Sequence, residues 1–148
     1  GSVVIPENAS LLEAAEFSHV LGVARPLRPS LAYGETMRRP GLHVMATPTE
    51  HPVEALSGLG GTGVQVLLAH VSNASLPGHP LLPLLAVATS GAAVDADLRL
   101  AAGETERAAA HGILELICRT ASHDYEPHAQ RGGRIDFQLT RGYLGVSL

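Results

Sequence analysis

The chain has one cysteine, few aromatic residues, and neither lysine nor tryptophan. A single cysteine, Cys118, cannot form an internal disulfide, so a disulfide-stabilised fold is not expected. Three tyrosines and two phenylalanines, with a net charge of -4, supply neither base-stacking platforms nor a basic stripe, which argues against nucleic-acid binding. Cys118 ends the apolar run 113–118, which predicts an inert core residue and not a nucleophile.

Long hydrophobic runs are also missing. No apolar segment approaches the roughly 18 residues that a membrane-spanning helix needs, so no membrane association is expected. The N-terminal residues 1–6 lack a basic flank and a long apolar stretch, so we expect no signal peptide and a cytoplasmic location. With 148 residues and a hydrophobic fraction of 45%, the chain 1–148 is predicted to form one globular α/β domain with a real core.

Residues 1–40 are predicted to contain one helix followed by an irregular connector. Ser10 stands where it can cap a helix from about Leu11 to Val23, and Glu13 occupies the capping-box position three residues later. Proline, arginine, glycine and serine without a period fill residues 25–40, which is typical of a connector lying over the surface.

Residues 41–122 are predicted to form a βαβ core and a long helix. A short apolar strand covers 42–46, and Pro52 suits the first position of a helix that runs to about Leu59. Glycines at 60–63 end that helix, and continuous apolar residues predict strands at 64–69 and 84–89 that are buried on both faces. A helix from Thr105 or Glu106 to Ala121 follows.

The remaining residues, 123–148, are predicted to be a tail with an edge strand at 135–139. Because buried strands alternate with helices, we expect a Rossmann-like doubly wound, mainly parallel sheet with helices on both faces.

Two polar loops follow the predicted strands, at 47–51 and 70–75. Ligands of open parallel sheets bind beyond the carboxyl ends of the strands, so the two loops are expected to be neighbours. Their hydroxyl, amide and imidazole groups suit a hydroxy acid, although such residues are also ordinary turn and cap residues. The candidate substrate-binding residues are Thr47, Thr49, His51, His70, Ser72 and Asn73.

The eight histidines are scattered without metal-ligand spacing, so no metal site and no cofactor are expected within this domain. An alternative is a metal held by His51, His70 and His79, if the fold brings their loops together. His43 lies within a predicted strand and is expected to be hydrogen-bonded. No phosphate loop, dinucleotide fingerprint or nucleophile elbow is present, and catalytic residues stay unassigned.

Several segments stand in a fixed order along the chain: Tyr33-Gly34-Glu35, then 40–45, then Thr47-Pro48, then 53–63. Together they carry a resemblance to the altronate and galactarate dehydratase family, which also includes the large sulfolactate lyase subunit. It covers roughly residues 31–122, whereas family members are usually much longer. The chain is therefore similar to a C-terminal domain of that family.

This chain also departs from the family pattern. His70 to Ala74 stands in place of a Thr-Thr-Gly-x-Gly run, and Ala86 replaces a lysine in the next strand. Arg99 to Gly103 replaces an Asp-Ile-Asn-Ala-Gly segment, which puts Ala101 at the position of the asparagine. A loop that needs glycine could not be retained unchanged.

The resemblance implies elimination of water from a sugar acid, in which a base removes the proton beside a carboxylate. A divalent metal commonly assists that reaction in a complete enzyme. The expected function is thus a domain of a carbon–oxygen lyase, incomplete as a catalyst alone, which binds a small hydroxy-carboxylate. Its expected partners are an N-terminal dehydratase domain or subunit and further copies of the chain. The alternative is a non-catalytic module for oligomerisation or small-ligand binding.

Overall fold

The computed structural model describes residues 1–22, 27–89, 91–92, 95–138, 140–141 and 146–147. It shows an α/β protein with parallel sheets and helices, which confirms the α/β class. The chain divides into two compact units. Unit 1 comprises Gly1–Val64 with Gln138–Leu148, and unit 2 comprises Gln65–Phe137. That the whole chain is one domain stays a prediction.

Unit 1 is built on a parallel pair of strands. Strand β1 (Ser2–Pro6) pairs with β2 (Gly41–Met45), so that Ile5 lies opposite Val44. The first helical elements are a 3₁₀ turn (Ser10–Glu13) and helix α1 (Ala15–Leu21), and helix α2 (Pro52–Gly61) packs against β1. The core of unit 1 consists of buried apolar residues from these elements and from the connector: Ile5, Leu31, Val44, Met45, Val53, Leu56 and Leu59.

The predicted helix from Leu11 to Val23 is wrong in its first half. Ala14 has extended backbone, with φ −69° and ψ 124°, and it separates the 3₁₀ turn from α1. Ser10 lies inside the 3₁₀ turn, so its side chain does not cap the helix and the capping box with Glu13 does not form. The real N-cap positions are alanines, which have no side-chain acceptor. Val23 lies outside the described residues.

The connector before β2 is not entirely a surface segment. Leu31 is buried and forms an isolated bridge with Met45. Its N–H donates to the carbonyl of Val44 at 3.1 Å, and its carbonyl accepts from the N–H of Ala46 at 2.9 Å. Backbone pairing therefore carries this part of the connector into the core, which the irregular composition did not indicate.

The segment after Leu31 packs closely on α2. The ring of Tyr33 occupies the space where a side chain on Gly58 would stand, and the Tyr33 hydroxyl donates to the backbone carbonyl of Glu54 at 2.6 Å. A Cβ on Gly61 would lie 3.0 Å from the Cα and the carbonyl oxygen of Gly34. Gly34 also has a φ of +69°, a conformation that side chains disfavour. The close approach of Tyr33 to Gly58 and of Gly34 to Gly61 holds the connector against α2.

Unit 2 contains a three-stranded parallel sheet in the order β3-β4-β5. Its strands are β3 (Leu67–His70), β4 (Leu84–Thr89) and β5 (Leu98–Leu100), of which β5 was not predicted. Helix α3 (Glu106–Ala121) begins as predicted, with the hydroxyl of Thr105 accepting from the N–H of Ala108 at 3.3 Å. A short helix α4 (His128–Arg131) follows, and α3 and α4 pack against β5 and β4.

The strand pairing differs from the expected βαβ unit. Strand β2 pairs with β1, and β3 pairs with β4, so the two strands on either side of α2 belong to different sheets. The segment 2–6 was not predicted as a strand, and it supplies the partner that β2 needs. Strand β3 is also not buried on both faces, because Leu68 is 49% exposed.

Two further expectations are wrong. Cys118 is exposed, because the buried stripe of α3 runs through Leu116 and Thr120 and Cys118 lies off that face. The predicted edge strand at 135–139 is reduced in the described residues to a single bridge between Ile135 and Gly78, and Leu139 lies outside them. Strands β6 (Thr140–Arg141) and β7 (Val146–Ser147) pair antiparallel instead.

Asp97 connects the end of unit 2 to its central strand. Its Oδ2 accepts from the backbone N–H of Ala86 at 2.7 Å, which lies in β4. Its Oδ1 accepts from the Tyr125 hydroxyl and from the backbone N–H of His128, both at 2.8 Å. One carboxylate thus holds the segment between α3 and α4 against the sheet.

Charged side chains surround this connection. Burial, as the larger cause, and the hydrogen bond to Asp97, as the smaller one, raise the pKa of Tyr125 to about 12. This hydroxyl therefore remains a donor throughout the ordinary pH range. The imidazole of His128 lies 2.9 Å from Asp95, and that hydrogen bond holds the pKa of the Asp95 carboxyl below its usual range. Asp95 also contacts Arg134 at 2.8 Å, but this exposed pair is expected to add little stability.

No helix among the described residues is long and apolar enough to cross a lipid bilayer.

Candidate functional site

The carboxyl end of the β1–β2 pair brings two loops together in unit 1. The loop after β1 contributes Glu7 and Asn8, and the loop after β2 contributes Thr47 to His51. The backbone N–H of Glu7 donates to the Thr47 hydroxyl at 3.2 Å, and that hydroxyl donates to the carbonyl of Met45 at 3.1 Å. Thr47 is half-buried. These two hydrogen bonds orient its hydroxyl group.

Thr49 shapes the entry into α2. Its carbonyl accepts from the side-chain amide of Asn8 at 2.9 Å, and its hydroxyl accepts from the backbone N–H of His51 at 3.0 Å. His51 is the N-cap residue of α2, but its exposed ring makes no capping hydrogen bond. The structure thus gathers three predicted site residues, Thr47, Thr49 and His51, and adds Asn8, which the sequence did not single out.

Glu54 lies in the first turn of α2, directly after this loop. Only 4% of the residue is exposed, and its Oε1 atom has no hydrogen-bond partner. From the sequence alone an acidic residue after Pro52 indicates a solvated first-turn carboxylate, so its burial could not be predicted. The apolar neighbours on both sides, Val53 and Leu56, were the only signal that this turn faces the interior.

The other three predicted residues belong to unit 2. His70 is the last residue of β3, and Ser72 and Asn73 follow it; all three are exposed. Between them Val71 is buried and its N–H donates to the carbonyl of Val87 at 2.8 Å, which fixes the start of the loop. The expectation that the loops 47–51 and 70–75 follow neighbouring strands of one sheet is wrong, because β2 and β3 lie in different sheets. That the two loops are neighbours stays a prediction.

His79 is the second buried polar side chain with an atom that has no hydrogen-bond partner. It is 3% exposed, its Nδ1 accepts from the backbone N–H of Leu81 at 3.1 Å, and its Nε2 is unpartnered. Its ring meets the Phe137 ring edge to face, with centroids 5.3 Å apart, a geometry in which an aromatic neighbour satisfies part of the need of a ring N–H. A shallow depression of about 210 Å³ beside it is lined by Pro80, Ile135, Asp136 and Phe137.

The stability of the protein is expected to fall as the pH drops below about 6.5, the ordinary pKa of histidine. Burial lowers the pKa of His79 in the folded state, so the unfolded chain binds the proton first. The full contribution is present above the unfolded pKa and is lost as the pH falls toward the folded pKa. Urea unfolding of the wild type and of His79→Gln between pH 8 and pH 5 measures this effect.

The substitution His111→Gln is the control, because His111 is exposed on α3. We expect His79→Gln to flatten the pH dependence and His111→Gln to leave it unchanged. Equal pH dependence in the wild type and in His79→Gln would show that this imidazole is not the responsible group.

The histidine metal site that the sequence left open draws on both units, since His51 belongs to unit 1 and His70 and His79 belong to unit 2. That alternative stays a prediction. Among the described residues, no three or more His, Cys, Asp or Glu side chains converge as ligands for an ion. The donor set of the described residues thus does not fit the divalent metal that the family resemblance implies for a complete enzyme. His43 is hydrogen-bonded, as predicted, to Ser30 at 3.4 Å and to the carbonyl of Arg39 at 2.9 Å.

Comparison of the chain with models of protein families, with curated proteins and with solved structures finds no match.

Proposed function

We propose that this chain is the C-terminal domain of a dehydratase-like protein, a hydro-lyase acting on a sugar acid or a related hydroxy-carboxylate. The proposal includes a cytoplasmic location, a homo-oligomer and an N-terminal dehydratase domain or subunit that completes the active site. It also includes the finer fold assignment, a Rossmann-like doubly wound sheet. This domain binds the substrate and is not a complete catalyst by itself.

One observation carries the proposal. Thr47, Thr49 and Asn8 gather at the carboxyl end of a parallel strand pair, beside the start of α2. Hydroxyl and amide groups in this position suit a ligand rich in hydroxyl groups, and the helix N-terminus favours a carboxylate. Together they match the chemistry of a hydroxy acid.

Several residues that carry the family resemblance lie in unit 1, which also contains the candidate site. Tyr33 and Gly34 contact Gly58 and Gly61, and the N–H of Gly34 donates to the sulfur of Met45 at 3.5 Å. These contacts hold the loop 47–51 and α2 in place. The resemblance therefore falls on residues that position the candidate site.

Titration of the full chain with galactarate, altronate and sulfolactate, followed by isothermal calorimetry, tests the proposal. We expect saturable binding of at least one of these acids, weakened by about fivefold or more in Thr47→Ala, because a lost hydrogen bond to a ligand is worth about 1 kcal/mol or more. Absence of binding to all three acids, with and without an N-terminal dehydratase partner, would contradict it.

A second candidate is a non-catalytic module for oligomerisation or ligand binding. It is favoured by the exposed loop after β3, where His70, Ser72 and Asn73 stand in place of the family's glycine-containing run. In a reconstituted protein, full activity after His70→Ala and Asn73→Ala would favour this second candidate. A large loss of activity would favour the lyase.

A further inference from the structure

Unit 2 presents two arginines at one aromatic ring. The Cζ atom of Arg119, in the last turn of α3, lies 5.5 Å from the centroid of the Tyr125 ring. The Cζ atom of Arg131, the last residue of α4, lies 6.0 Å from the same centroid. Both arginines are exposed, so a ligand in solution can reach them. Two helices thus bring two positive charges to one place on the surface of unit 2.

The Tyr125 ring that holds the two arginines is itself fixed. Its hydroxyl donates to Oδ1 of Asp97 at 2.8 Å, and Oδ2 of Asp97 accepts from the N–H of Ala86 in β4. A cation over an aromatic ring is attracted to it, so a fixed ring limits where each guanidinium can go. Arg131 is held further by a hydrogen bond from its Nη2 to the carbonyl of Glu126 at 2.9 Å. Less conformational freedom is therefore lost when these side chains bind a ligand.

The acidic groups near the ring do not neutralise these two arginines. Asp97 accepts three hydrogen bonds from other groups, and Asp95 forms its own ion pairs with two other side chains. In the part of the chain that the structure describes, neither guanidinium forms a salt bridge with a carboxylate, including those of Asp124 and Glu126 beside the ring. Both groups therefore keep N–H donors for an anion, because a guanidinium has five.

Helix structure accounts for only part of this arrangement. A cation at the C-terminal end of a helix is stabilised by the helix dipole, which suits Arg119 at the end of α3. That effect does not explain why an arginine from a second helix lies at the same ring, where the two positive charges repel each other. A bound anion offsets this repulsion, and the planar guanidinium group matches the geometry of a carboxylate.

We propose that Arg119 and Arg131 form a binding site for a small dicarboxylate, with one carboxylate group on each guanidinium. Both Cζ atoms lie within 6.0 Å of one centroid, so a chain of a few carbon atoms can connect two carboxylates bound there. The inference does not depend on the proposed function, because the site proposed for the hydroxy acid belongs to unit 1.

Adipate, acetate and inorganic phosphate are the probes for this site. Adipate has two carboxylates and no hydroxyl group, so it does not test the hydroxyl-binding groups of unit 1. We expect adipate to bind saturably with a Kd of about 1–10 mM at low ionic strength, and acetate about tenfold more weakly or worse, because the second carboxylate of adipate binds intramolecularly. Phosphate binding as tight as that of adipate would overturn the assignment to a dicarboxylate.

The arginine Nε–H resonances of the isotope-labelled chain report where adipate binds. We expect the largest shift changes at Arg119 and Arg131. No saturable change at these two residues in the wild type would overturn the proposal. A hydroxy acid that binds in unit 1 without such changes would leave the proposed function standing while this inference fails.

Arg119→Gln and Arg131→Gln each remove one guanidinium group. We expect each variant to bind adipate about fivefold or more weakly than the wild type and to lose most of the preference over acetate. Arg107→Gln is the matched control, because Arg107 is also exposed on α3 but lies near the start of the helix. It removes the same charge and should leave the affinity for adipate unchanged. Equal weakening in all three variants would show that adipate responds only to net charge, and would overturn the proposal.

Tyr125→Phe and Tyr125→Leu test whether the ring positions the two arginines. Both variants lose the hydrogen bond to Asp97, but only phenylalanine keeps an aromatic face for the guanidinium groups. We expect the leucine variant to bind adipate several-fold more weakly than the phenylalanine variant. Equal affinities in the two would show that the ring does not position the arginines. The arginine variants still test the site if the leucine variant does not fold.

Discussion

The substitution Asp97→Ala is expected to lower the free energy of unfolding by about 3–5 kcal/mol, because hydrogen bonds to a charged acceptor are worth about 1.5–3 kcal/mol each and do not add fully. The variant loses the acceptor of three hydrogen bonds, from Ala86, Tyr125 and His128. It also leaves the N–H groups of Ala86 and His128 without this partner. Urea unfolding, with the midpoint and the m-value compared between variants, measures the change.

Asp95→Ala is the control for this experiment. Asp95 lies two residues earlier and is also an aspartate with two partners, but its pair with His128 and Arg134 is exposed to solvent. We expect a much smaller change in unfolding free energy than for Asp97→Ala. Equal losses in the two variants would contradict the assignment of Asp97 as the connection between β4 and the segment before α4.

Gly58→Ala is expected to destabilise the protein by about 2–4 kcal/mol, although alanine is the better helix former by about 1 kcal/mol. A Cβ on Gly58 would collide with the Tyr33 ring, so the ring must move and weaken its hydrogen bond to the carbonyl of Glu54. Thermal or urea unfolding measures the loss. The double variant Tyr33→Ala, Gly58→Ala should lose less than the sum of the single changes, because the collision is absent.

For Gly112→Ala we expect the opposite effect on the stability of the protein. Gly112 also lies within a helix, α3, but a Cβ there would meet nothing nearer than the Leu98 side chain at 3.8 Å. We expect it to stabilise the protein by about 0.5–1 kcal/mol, the ordinary gain for glycine to alanine in a helix. A stabilising Gly58→Ala would show that the Tyr33 ring is not packed on α2.

The sequence predicted the elements whose local signals agree with their packing. Leu84 to Thr89 forms the central strand of its sheet and is mostly buried, as its continuous apolar residues indicate. Thr105 caps α3, and Pro52 begins α2, because both residues suit a helix start for local reasons. In these places tertiary contacts reinforce what the residues favour on their own.

The features that the sequence did not predict depend on contacts between residues that are distant in the chain. Residues 2–6 form a strand because 41–45 lies beside them, and no local pattern identifies that partner. Cys118 belongs to an apolar run, but the helix turns it away from the face that Leu116 and Thr120 bury. A one-dimensional apolar run does not specify which face of a helix is covered.

The candidate site was predictable only in part. Thr47, Thr49 and His51 stood out as polar residues after a strand, and the structure places them together. Asn8 follows a strand that was not predicted, so its contact with Thr49 could not be anticipated. The burial of Glu54 depends on packing around α2, which an acidic residue in a first helical turn does not reveal.

We expect a hydroxy acid to bind in unit 1 at the carboxyl end of the β1–β2 pair. Titration of the isotope-labelled chain with galactarate, followed by backbone amide chemical shifts, tests it most directly. We expect the largest shift changes at Asn8, Thr47, Thr49, His51 and Glu54. Changes confined to residues of unit 2, or no saturable change at all, would contradict it.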